Sequence, residues 1–491
     1  MDVLIVGAGL SGVGAACHLK TECPGKTFLL LEGRSAMGGT WDLFRYPGVR
    51  SDSDMYTLGY RFRPWRDAKA IADGPAILGY IRETAREFGV DKLIRYGHKV
   101  RRASWSSEDA RWTVEAETEK GVARFTCNFL YLCTGYYDYE NGYTPEWPGV
   151  ESFRGRVVHP QKWPEDLDYA GKRVVVIGSG ATAVTLVPAM AETAAHVTML
   201  QRSPTYVVAR PAEDKIANWL RRRLPDRAAY ALTRWKNVLV GMFFYGLARK
   251  RPALFKRMVA KGVRHQLGEE YDLKHFTPRY DPWDQRLCLV PDSDLFRSIR
   301  EGKSSVVTDH IESFTENGLQ LKSGERLDAD IIVTATGLVL KLISGMQLFV
   351  DGAAVDLPRT LVYKGMMFSE VPNLAFAIGY TNASWTLKCD LTAEYVCRLL
   401  NHMDRGGYAF CTPRVNDPDV KEEPIIDFTS GYVRRALHML PRQGAKTPWR
   451  LHQNYVRDLS MMRFGRVDDG TMEFRPAPAR RVEGAARAEV T

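Results

Sequence analysis

The chain has 491 residues, of which 45% are hydrophobic and 26% are charged. This composition is ordinary for a globular protein and excludes a fibrous or wholly disordered chain, while the length predicts about two to four domains. The 68 Lys and Arg residues outnumber the 58 Asp and Glu residues and give a formal net charge of +10. Such an excess would suit a nucleic-acid or membrane partner, but the position of the charges matters more than their sum.

The sequence has no signal of a membrane span, a targeting segment or a disulfide framework. The chain has no run of about 20 apolar residues that could span a bilayer, and its first residues lack the basic region of a signal peptide. Its eight cysteines are scattered and form no CxxC pair, which favours reduced thiols over a disulfide framework or a zinc site. We therefore expect a cytoplasmic protein without a metal centre.

The first motif lies at the start of the chain. Residues 3–6 are predicted to form a buried strand, the loop after them has the pattern GxGxxG, and residues 13–20 are predicted to be helical. Glycines in such a loop bring the backbone close to a pyrophosphate at the helix N-terminus. The next predicted strand ends in an acid 20 residues after the last glycine, the spacing expected for binding ribose hydroxyls. The motif predicts a dinucleotide site that suits FAD, with residues Gly7, Gly9, Gly12 and Glu32.

A second copy of this pattern begins near residue 173. Residues 174–177 are predicted to form the strand, and the loop has alanine at the third position of the motif. The following strand leads to Arg202 instead of an acid, 19 residues after Ala183. Because arginine suits a 2′-phosphate that a carboxylate would repel, this site predicts NADPH, unless Arg202 is only a solvated residue at a strand end. The predicted residues are Gly178, Ser179, Gly180, Ala181, Thr182, Ala183, Arg202 and Ser203.

A flavin site and an NADPH site in one chain predict hydride transfer from the nicotinamide to the flavin. A disulfide reductase would need a redox-active cysteine pair beside the flavin. Cys17 and Cys23 are separated by five residues along and beyond the first predicted helix, so we discount that class. Oxygen-using monooxygenases, simple reductases and oxidases stay open at this point.

Two longer patterns resemble a known family. Residues 153–164 match the fingerprint FxGxxxHxxxW[P/D], and residues 38–52 match [A/G]GxWxxxx[F/Y]P[G/M]xxxD at every defined position. Both are signatures of the Baeyer–Villiger monooxygenases, a family of class B flavoprotein monooxygenases, and the chain is identified as a member of it. The likeness covers nearly the whole chain and is to the mycobacterial subgroup that activates a thioamide prodrug.

The resemblance implies an enzyme that uses FAD and NADPH to insert one oxygen atom of O2 beside the carbonyl of apolar ketones, giving esters or lactones. Oxygenation of sulfides or thioamides at sulfur is the implied side activity. One alternative is an N- or S-oxygenating flavin monooxygenase, which usually has Tyr or Phe where Trp163 stands. Another is a non-catalytic flavin redox or electron-transfer protein, which would leave both fingerprints without a purpose.

The resemblance also assigns roles to single residues. It implies that Arg286 stabilises negative charge during oxygenation, a role that suits a side chain that never deprotonates, and that Asp52 is the partner carboxylate. On the residues alone, Arg286 could be a surface ion-pair residue and Asp52 a loop cap. The resemblance places Ser11, Thr40, Trp41, Leu43, Asp52 and Val100 near FAD, and Arg50, Ser51, Thr182 and Thr185 near NADPH. Many members have lysine before the arginine; here Gln285 stands there, so NADPH preference rests mainly on Arg202.

The motifs predict an α/β fold with two Rossmann-like dinucleotide-binding domains, the second inserted in the first. The FAD-binding domain is predicted to span residues 1–145 and 340–474, and the NADPH-binding domain residues 150–337. The Ala-, Arg- and Pro-rich tail, residues 475–491, is predicted to be disordered.

The positive charge is concentrated in a basic helical segment, residues 213–265. Between Lys215 and Arg264 there are fourteen basic residues and one acid, a net charge of +13. This segment also contains an apolar run at residues 238–245, which is too short to span a bilayer. Three readings stay open: peripheral contact with an anionic membrane, a lid over a hydrophobic substrate tunnel, or ordinary amphipathic helices with a solvated basic face. Nucleic-acid binding is not expected, because no recognition motif accompanies the charge.

Overall fold

The computed structural model describes residues 1–285, 287–417, 419–426 and 428–477. Up to residue 142 the chain alternates strands and helices and then adds an antiparallel sheet. Its elements are β1 (Val3–Val6), α1 (Leu10–Glu22), β2 (Phe28–Leu31), α2 (Thr40–Leu43), α3 (Met55–Leu58), α4 (Gly74–Glu87), β3 (Ile94–Arg95), β4 (Lys99–Ser106), β5 (Arg111–Thr118), β6 (Gly121–Cys127), β7 (Phe129–Leu132) and β8 (Tyr137–Gly142).

The middle of the chain repeats the strand-and-helix alternation and inserts three helices within it. Its elements are β9 (Arg156–Val158), β10 (Arg173–Ile177), α5 (Ala181–Met190), β11 (His196–Gln201), β12 (Val207–Arg210), α6 (Lys215–Arg221), α7 (Asp226–Lys250), α8 (Pro252–Leu267), β13 (Cys288–Pro291), α9 (Asp294–Arg300), β14 (Ser304–Thr308), β15 (Ile311–Thr315), β16 (Gly318–Leu321), β17 (Arg326–Asp328) and β18 (Ile331–Thr334).

The last part of the chain returns to the first sheet and adds a long buried helix. Its elements are β19 (Leu338–Leu340), β20 (Gln347–Val350), β21 (Ala353–Ala354), β22 (Val362–Tyr363), β23 (Met367–Phe368), β24 (Leu374–Phe376), α10 (Trp385–Gly406), β25 (Tyr408–Pro413), β26 (Glu422–Pro424), α11 (Gly431–Ala436), β27 (Arg442–Gly444), α12 (Tyr455–Leu459) and β28 (Met472–Pro476).

Two five-stranded parallel sheets form the framework. The first has the strand order β24-β7-β1-β2-β3 and the second β14-β11-β10-β18-β9. The central strands β1 and β10 are almost entirely buried, as expected for parallel strands covered on both faces. Since β24 joins the first sheet only after the whole second sheet has been completed, one Rossmann-like fold is inserted in the other. The predicted α/β fold class is confirmed, while the predicted domain boundaries stay predictions.

The glycine loops of the two folds are built alike. Gly7 has φ +103°, and a Cβ atom there would lie 2.4 Å from the carbonyl oxygen of Cys133. Gly178 has φ +139°, and a Cβ atom there would lie 2.3 Å from the carbonyl oxygen of Ala335. In both loops only glycine tolerates the left-handed backbone and the close approach of a neighbouring strand end.

The basic segment is helical, as predicted, and α7 is anchored in the protein through Arg234. This guanidinium is 6% exposed and lies 3.2 Å from the Asp390 carboxylate on α10. It also donates to the carbonyl oxygens of Tyr56 at 2.9 Å and Gly59 at 2.7 Å. Burial tends to raise the pKa of Asp390, but hydrogen bonding to His18 and the charge of Arg234 outweigh it and lower the pKa. Removing one partner of such a pair is costly, because the other stays buried and charged.

The predicted start of the disordered tail needs a correction. Strand β28 extends to Pro476 and pairs with β25, and the Arg475 guanidinium donates to Glu473 at 2.7 Å. Residues 475 and 476 therefore belong to a strand, because β25 supplies a backbone partner that composition alone does not reveal. Residue 477 follows the strand, and residues 478–491 of the predicted tail lie outside the described residues.

Candidate functional site

Two adjoining cavities lie where the two Rossmann folds meet. The first, of about 250 Å³, follows the glycine loop after β1 and reaches the start of α5. The second, of about 880 Å³, is walled by α7 and α8. Both cavities are lined by Asp52, Ser53, Leu289 and Ala383. Nucleotide pockets at the carboxyl ends of parallel strands are the rule for this architecture, so we call the first the nucleotide cleft and the second the apolar cavity.

Several predicted flavin residues come together in the nucleotide cleft. Gly9, Ser11, Thr40 and Trp41 all line it. A Cβ atom at Gly9 would lie 3.4 Å from the Cα atom of Gly39, so two loops of the first domain meet there with backbone facing backbone. This arrangement fits a dinucleotide whose pyrophosphate needs close approach to main-chain N–H groups.

Glu32 directly follows β2, beside the glycine loop, and is 8% exposed. Its carboxylate accepts the N–H groups of Ala8 at 2.8 Å and Arg34 at 2.9 Å. Burial raises the pKa of Glu32, and these two hydrogen bonds offset the effect only in part. The carboxylate thus holds the loop in shape, as well as standing at the position predicted for ribose binding.

Four other predicted flavin residues do not line the nucleotide cleft. Gly7 and Gly12 shape the loop, since a Cβ atom at Gly12 would lie 1.9 Å from the carbonyl oxygen of Gly7. Leu43 is the last residue of α2, and Val100 is a buried residue of β4. Their predicted contacts with FAD stay predictions.

The second glycine loop fits a nucleotide phosphate. A Cβ atom at Gly180 would meet nothing within 4 Å, so this backbone faces open space at the N-terminus of α5. The Ser179 hydroxyl donates to the carbonyl oxygen of Ser203 at 2.9 Å, joining the loop to the end of β11. Arg202 is exposed, and its side chain has no hydrogen bond or ion pair with the part of the chain that the structure describes.

The remaining predicted NADPH residues surround the start of α5. Ala181 and Thr185 line the nucleotide cleft, whereas Ala183 is fully buried. Thr182 is hydrogen-bonded to Tyr46, whose pKa is raised to about 12 because burial outweighs that bond. The bond between Tyr46 and Thr182 brings the fingerprint loop of residues 38–52 against the start of α5.

Asp52 stands at the junction of the two cavities because its loop is fixed from both sides. Before it, Gly48 has φ +74° and lies so close to α5 that a Cβ atom would be 2.7 Å from that of Ala189. After it, Asp54 caps α3 and accepts the Asn237 amide of α7 at 2.8 Å. Asp52 itself is exposed and contacts both cavities. Asp54 is thus the helix cap of this loop, and the predicted role of Asp52 as the partner carboxylate stays a prediction.

The other two predicted residues of this loop differ from Asp52. Ser51 is buried, lines the nucleotide cleft and accepts the N–H of Ser53 at 2.9 Å. Arg50 also lines the cleft and forms an ion pair with Asp294 on α9. Its predicted contact with the nicotinamide nucleotide stays a prediction.

Arg286 lies outside the described residues, so its predicted role stays a prediction. The residues on either side of it are informative. Trp283 and Leu287 both line the apolar cavity, and Trp283 has φ +70°. Trp283 and Leu287 are therefore part of the cavity wall.

The nucleotide cleft also has an aromatic wall, which the sequence did not predict. Tyr136 stacks on Trp385 with ring centroids 5.0 Å apart, and Tyr137 stacks on Tyr139 at the same centroid distance. The Tyr137 and Thr40 hydroxyls are 2.7 Å apart, and the Trp385 indole donates to the Ser11 hydroxyl at 2.9 Å. A run of tyrosines directly after Cys133-Thr134-Gly135 was the available signal, but Trp385 is too distant in sequence to be linked to it.

The chain is similar to known proteins over most of its length. It matches the family model "Flavin-binding monooxygenase-like" over residues 70–384 and an NAD(P)-binding Rossmann-like domain over residues 5–69. It is 56% identical over 482 residues to the FAD-containing monooxygenase EthA of Mycobacterium tuberculosis, covering 97% of this chain and 99% of that protein. It is 48% identical over 477 residues to the probable FAD-binding monooxygenase AlmA of Acinetobacter baylyi, covering 96% of each.

Solved structures share the fold. An oxidized steroid monooxygenase bound to NADP superposes with a TM-score of 0.77 at 21% identity, covering 97% of this chain and 99% of that one. A cyclohexanone monooxygenase superposes with a TM-score of 0.74 at 18% identity, covering 96% and 99%.

The comparisons confirm the predicted enzyme class, a flavin monooxygenase, with its predicted cofactor FAD and an NAD(P)-binding Rossmann-like fold. A non-catalytic flavin protein is therefore excluded. The predicted preference for NADPH over NADH stays a prediction. The family model covers well over half of the chain, and EthA is aligned over nearly all of it. The chain belongs to the flavin-binding monooxygenase-like family.

Proposed function

We propose that this enzyme is a Baeyer–Villiger monooxygenase of apolar ketones. One ketone, one O2, one NADPH and one proton give one ester or lactone, one NADP⁺ and one water. One oxygen atom enters the bond between the carbonyl carbon and its neighbour, and the two electrons of NADPH reduce the other to water. When bound, the flavin accepts these electrons and passes them to O2.

The observation that carries the proposal is the position of Asp52. This fingerprint carboxylate touches both the nucleotide cleft and the apolar cavity, which is where a substrate and a nucleotide ring system could meet. The cavity wall is largely hydrophobic, with residues such as Val238, Met242, Phe255 and Leu387. Its volume of about 880 Å³ is that of a pocket for a whole small molecule.

Each part of the chain then has a task. The glycine loops hold the two dinucleotides, Asp52 orients a cationic partner, and the apolar cavity excludes water from the ketone. Arg286 is the proposed partner and holds negative charge as the carbonyl carbon becomes tetrahedral. A lysine could not replace it without losing the planar fork that contacts two oxygen atoms at once.

The test is product analysis with the purified holoenzyme. We expect 2-alkanones and phenylacetone to give esters in amounts that match the NADPH consumed. Mass spectrometry of the products, with ¹⁸O₂ as the oxygen source, should place one labelled atom in each ester. Stoichiometric hydrogen peroxide without ester would contradict the proposal, and a sulfoxide from an aryl sulfide without any ester would favour the S-oxygenating alternative.

Arg202 is expected to set the preference for NADPH. Arg202→Ala should lower kcat/KM for NADPH by about 10- to 100-fold, because a charge-assisted contact with the 2′-phosphate is lost. The value for NADH should change by less than about twofold. Steady-state kinetics with both nucleotides check this, with Arg326→Ala, an exposed arginine of β17, as the control. Equal losses with both nucleotides would contradict a phosphate contact.

A further inference from the structure

The basic segment has an unusual share of the exposed apolar surface. Of nineteen large hydrophobic side chains exposed in the described part of the chain, ten lie between Ile216 and Met258. These ten belong to α6, α7 and α8, and we call them the apolar face: Ile216, Trp219, Leu232, Trp235, Leu239, Val240, Phe243, Phe244, Leu254 and Met258. Exposed patches of this kind mark interaction surfaces.

On α7 the apolar face forms one stripe. Leu232, Trp235, Leu239 and Phe243 are spaced by three or four residues and are 53%, 41%, 54% and 66% exposed. At 1.5 Å per residue the stripe is about 16 Å long. The charged side chains within this stretch turn inward, because Arg234 is buried and Lys236 pairs with Asp214.

Basic residues stand at both ends of the stripe. Arg222, Arg223 and Arg227 are exposed at one end, and Arg249, Lys250 and Arg251 are exposed at the other. Arg223 lies over the ring of Trp219 at 5.0 Å from its centroid. Residues 215–264 have a net charge of +13, whereas the whole chain has a net charge of +10. The rest of the chain is therefore slightly acidic. An apolar stripe with aromatic side chains and cationic ends is the pattern of a helix lying in a bilayer interface.

The apolar cavity opens on this same face. Val240, Phe244 and Met258 are exposed, at 43%, 41% and 45%, and also line the cavity of about 880 Å³. A molecule held against the apolar face would therefore reach the cavity without crossing a layer of polar side chains.

We propose that the apolar face docks on an anionic lipid bilayer, with the mouth of the cavity turned towards the acyl chains. The cations at both ends of the stripe contact lipid headgroups, and the stripe inserts among the first methylene groups. The segment's charge argues for this occupant over a second copy of the chain, because two faces of +13 would repel each other. On the proposed function, the apolar ketone then enters the site from the membrane and not from water.

The test is co-sedimentation of the full-length holoenzyme with vesicles. Vesicles of phosphatidylcholine and phosphatidylglycerol at a molar ratio of about 7:3 should bind the protein at low ionic strength, at least tenfold more than pure phosphatidylcholine vesicles. High salt should release most of it. Equal binding to both vesicle types, or none to either, would overturn the proposal.

Two variants separate the parts of the surface. The apolar variant combines Leu239→Gln with Phe243→Gln. The basic variant combines Arg222→Gln, Arg223→Gln and Arg227→Gln. Each variant should lower vesicle binding about tenfold or more. Val122→Gln replaces an apolar side chain that is 66% exposed on β6 and should bind like the parent. If the apolar variant removes a dimer seen by sedimentation velocity while vesicle binding is unchanged, the face is an interface between copies and the proposal is wrong.

A second measurement, the oxygenation of a water-soluble ketone without lipid, distinguishes a failure of the docking surface from a failure of the proposed function. Neither Leu239 nor Phe243 lines the nucleotide cleft or the apolar cavity, so the apolar variant should form ester at the parent rate. Vesicle binding without ester formation contradicts only the proposed function. Ester formation without vesicle binding contradicts only the docking surface.

Discussion

Replacing Asp52 by asparagine is expected to lower ester formation about 100-fold or more while leaving the protein folded and yellow. The reason is that neighbouring residues fix the conformation of the loop that contains Asp52. Asp54 caps α3 and accepts the amide of Asn237, and the Ser51 hydroxyl accepts the N–H of Ser53. These contacts fix the loop on both sides of Asp52, and Asp52→Asn removes a charge at the junction of the two cavities. Losing one preorganised group of a catalytic site costs about 100- to 1,000-fold.

The measurement is ester formed per NADPH consumed, with hydrogen peroxide determined in parallel. NADPH oxidation should continue, with its electrons appearing as hydrogen peroxide. Asp67→Asn is the matched control, because it removes the same charge from an exposed residue of a nearby loop and should leave ester formation unchanged. Arg286→Ala should repeat the loss seen for Asp52→Asn. An Asp52→Asn enzyme that keeps more than a third of the ester yield would refute the role of this carboxylate.

Two glycines of the second loop should respond in opposite ways to alanine. Gly178→Ala is expected to destabilise the protein by about 3 kcal/mol or more, because alanine is strained at φ +139° and its Cβ atom would lie 2.3 Å from a carbonyl oxygen. Gly180→Ala should cost less than about 1 kcal/mol, because Gly180 has φ −80° and open space around it. That open space is the proposed phosphate cradle, so Gly180→Ala should raise KM for NADPH about tenfold or more.

Thermal unfolding of the holoenzyme and steady-state kinetics distinguish the two effects, and each variant is the other's control. Gly178→Ala should melt well below the parent. Gly180→Ala should melt near the parent and require more NADPH for half-maximal rate. A normal KM for NADPH in Gly180→Ala would contradict a phosphate site at this loop. A normal melting temperature in Gly178→Ala would contradict the close contact with Ala335.

The elements that the sequence predicted correctly depend on neighbours in the chain. Strand β1 was predicted from four consecutive apolar residues and β10 from a similar run, and both are buried central strands. The glycine loops were predicted from spacing alone, because a tight turn between a strand and a helix restricts each backbone position locally. The inserted order of the two folds was implied by the family resemblance, and it agrees with the first sheet, in which β24 pairs with β7 only after the second sheet is complete.

The features that were missed depend on residues far apart in the chain. Trp385 joins Tyr136 and Ser11 in the aromatic wall, and no local pattern links these three positions. The apolar face could be recognised only from the exposures of individual side chains on α7, since the sequence alone left a membrane surface, a lid and an ordinary amphipathic helix open. The strand pairing of Arg475 was hidden for the same reason, because its partner β25 lies more than sixty residues earlier.

The sequence by itself determined that the protein has two dinucleotide loops, one followed by an acid and the other by an arginine, and that it carries two monooxygenase fingerprints. These are short patterns in which backbone geometry and side-chain charge act within about 20 residues. Only the tertiary structure decided that Asp52 lies between the nucleotide cleft and the apolar cavity. That position arises because Gly48 lets the fingerprint loop pack on α5 while Asn237 of α7 holds its other end, and contacts between separate domains are set by packing of the whole chain.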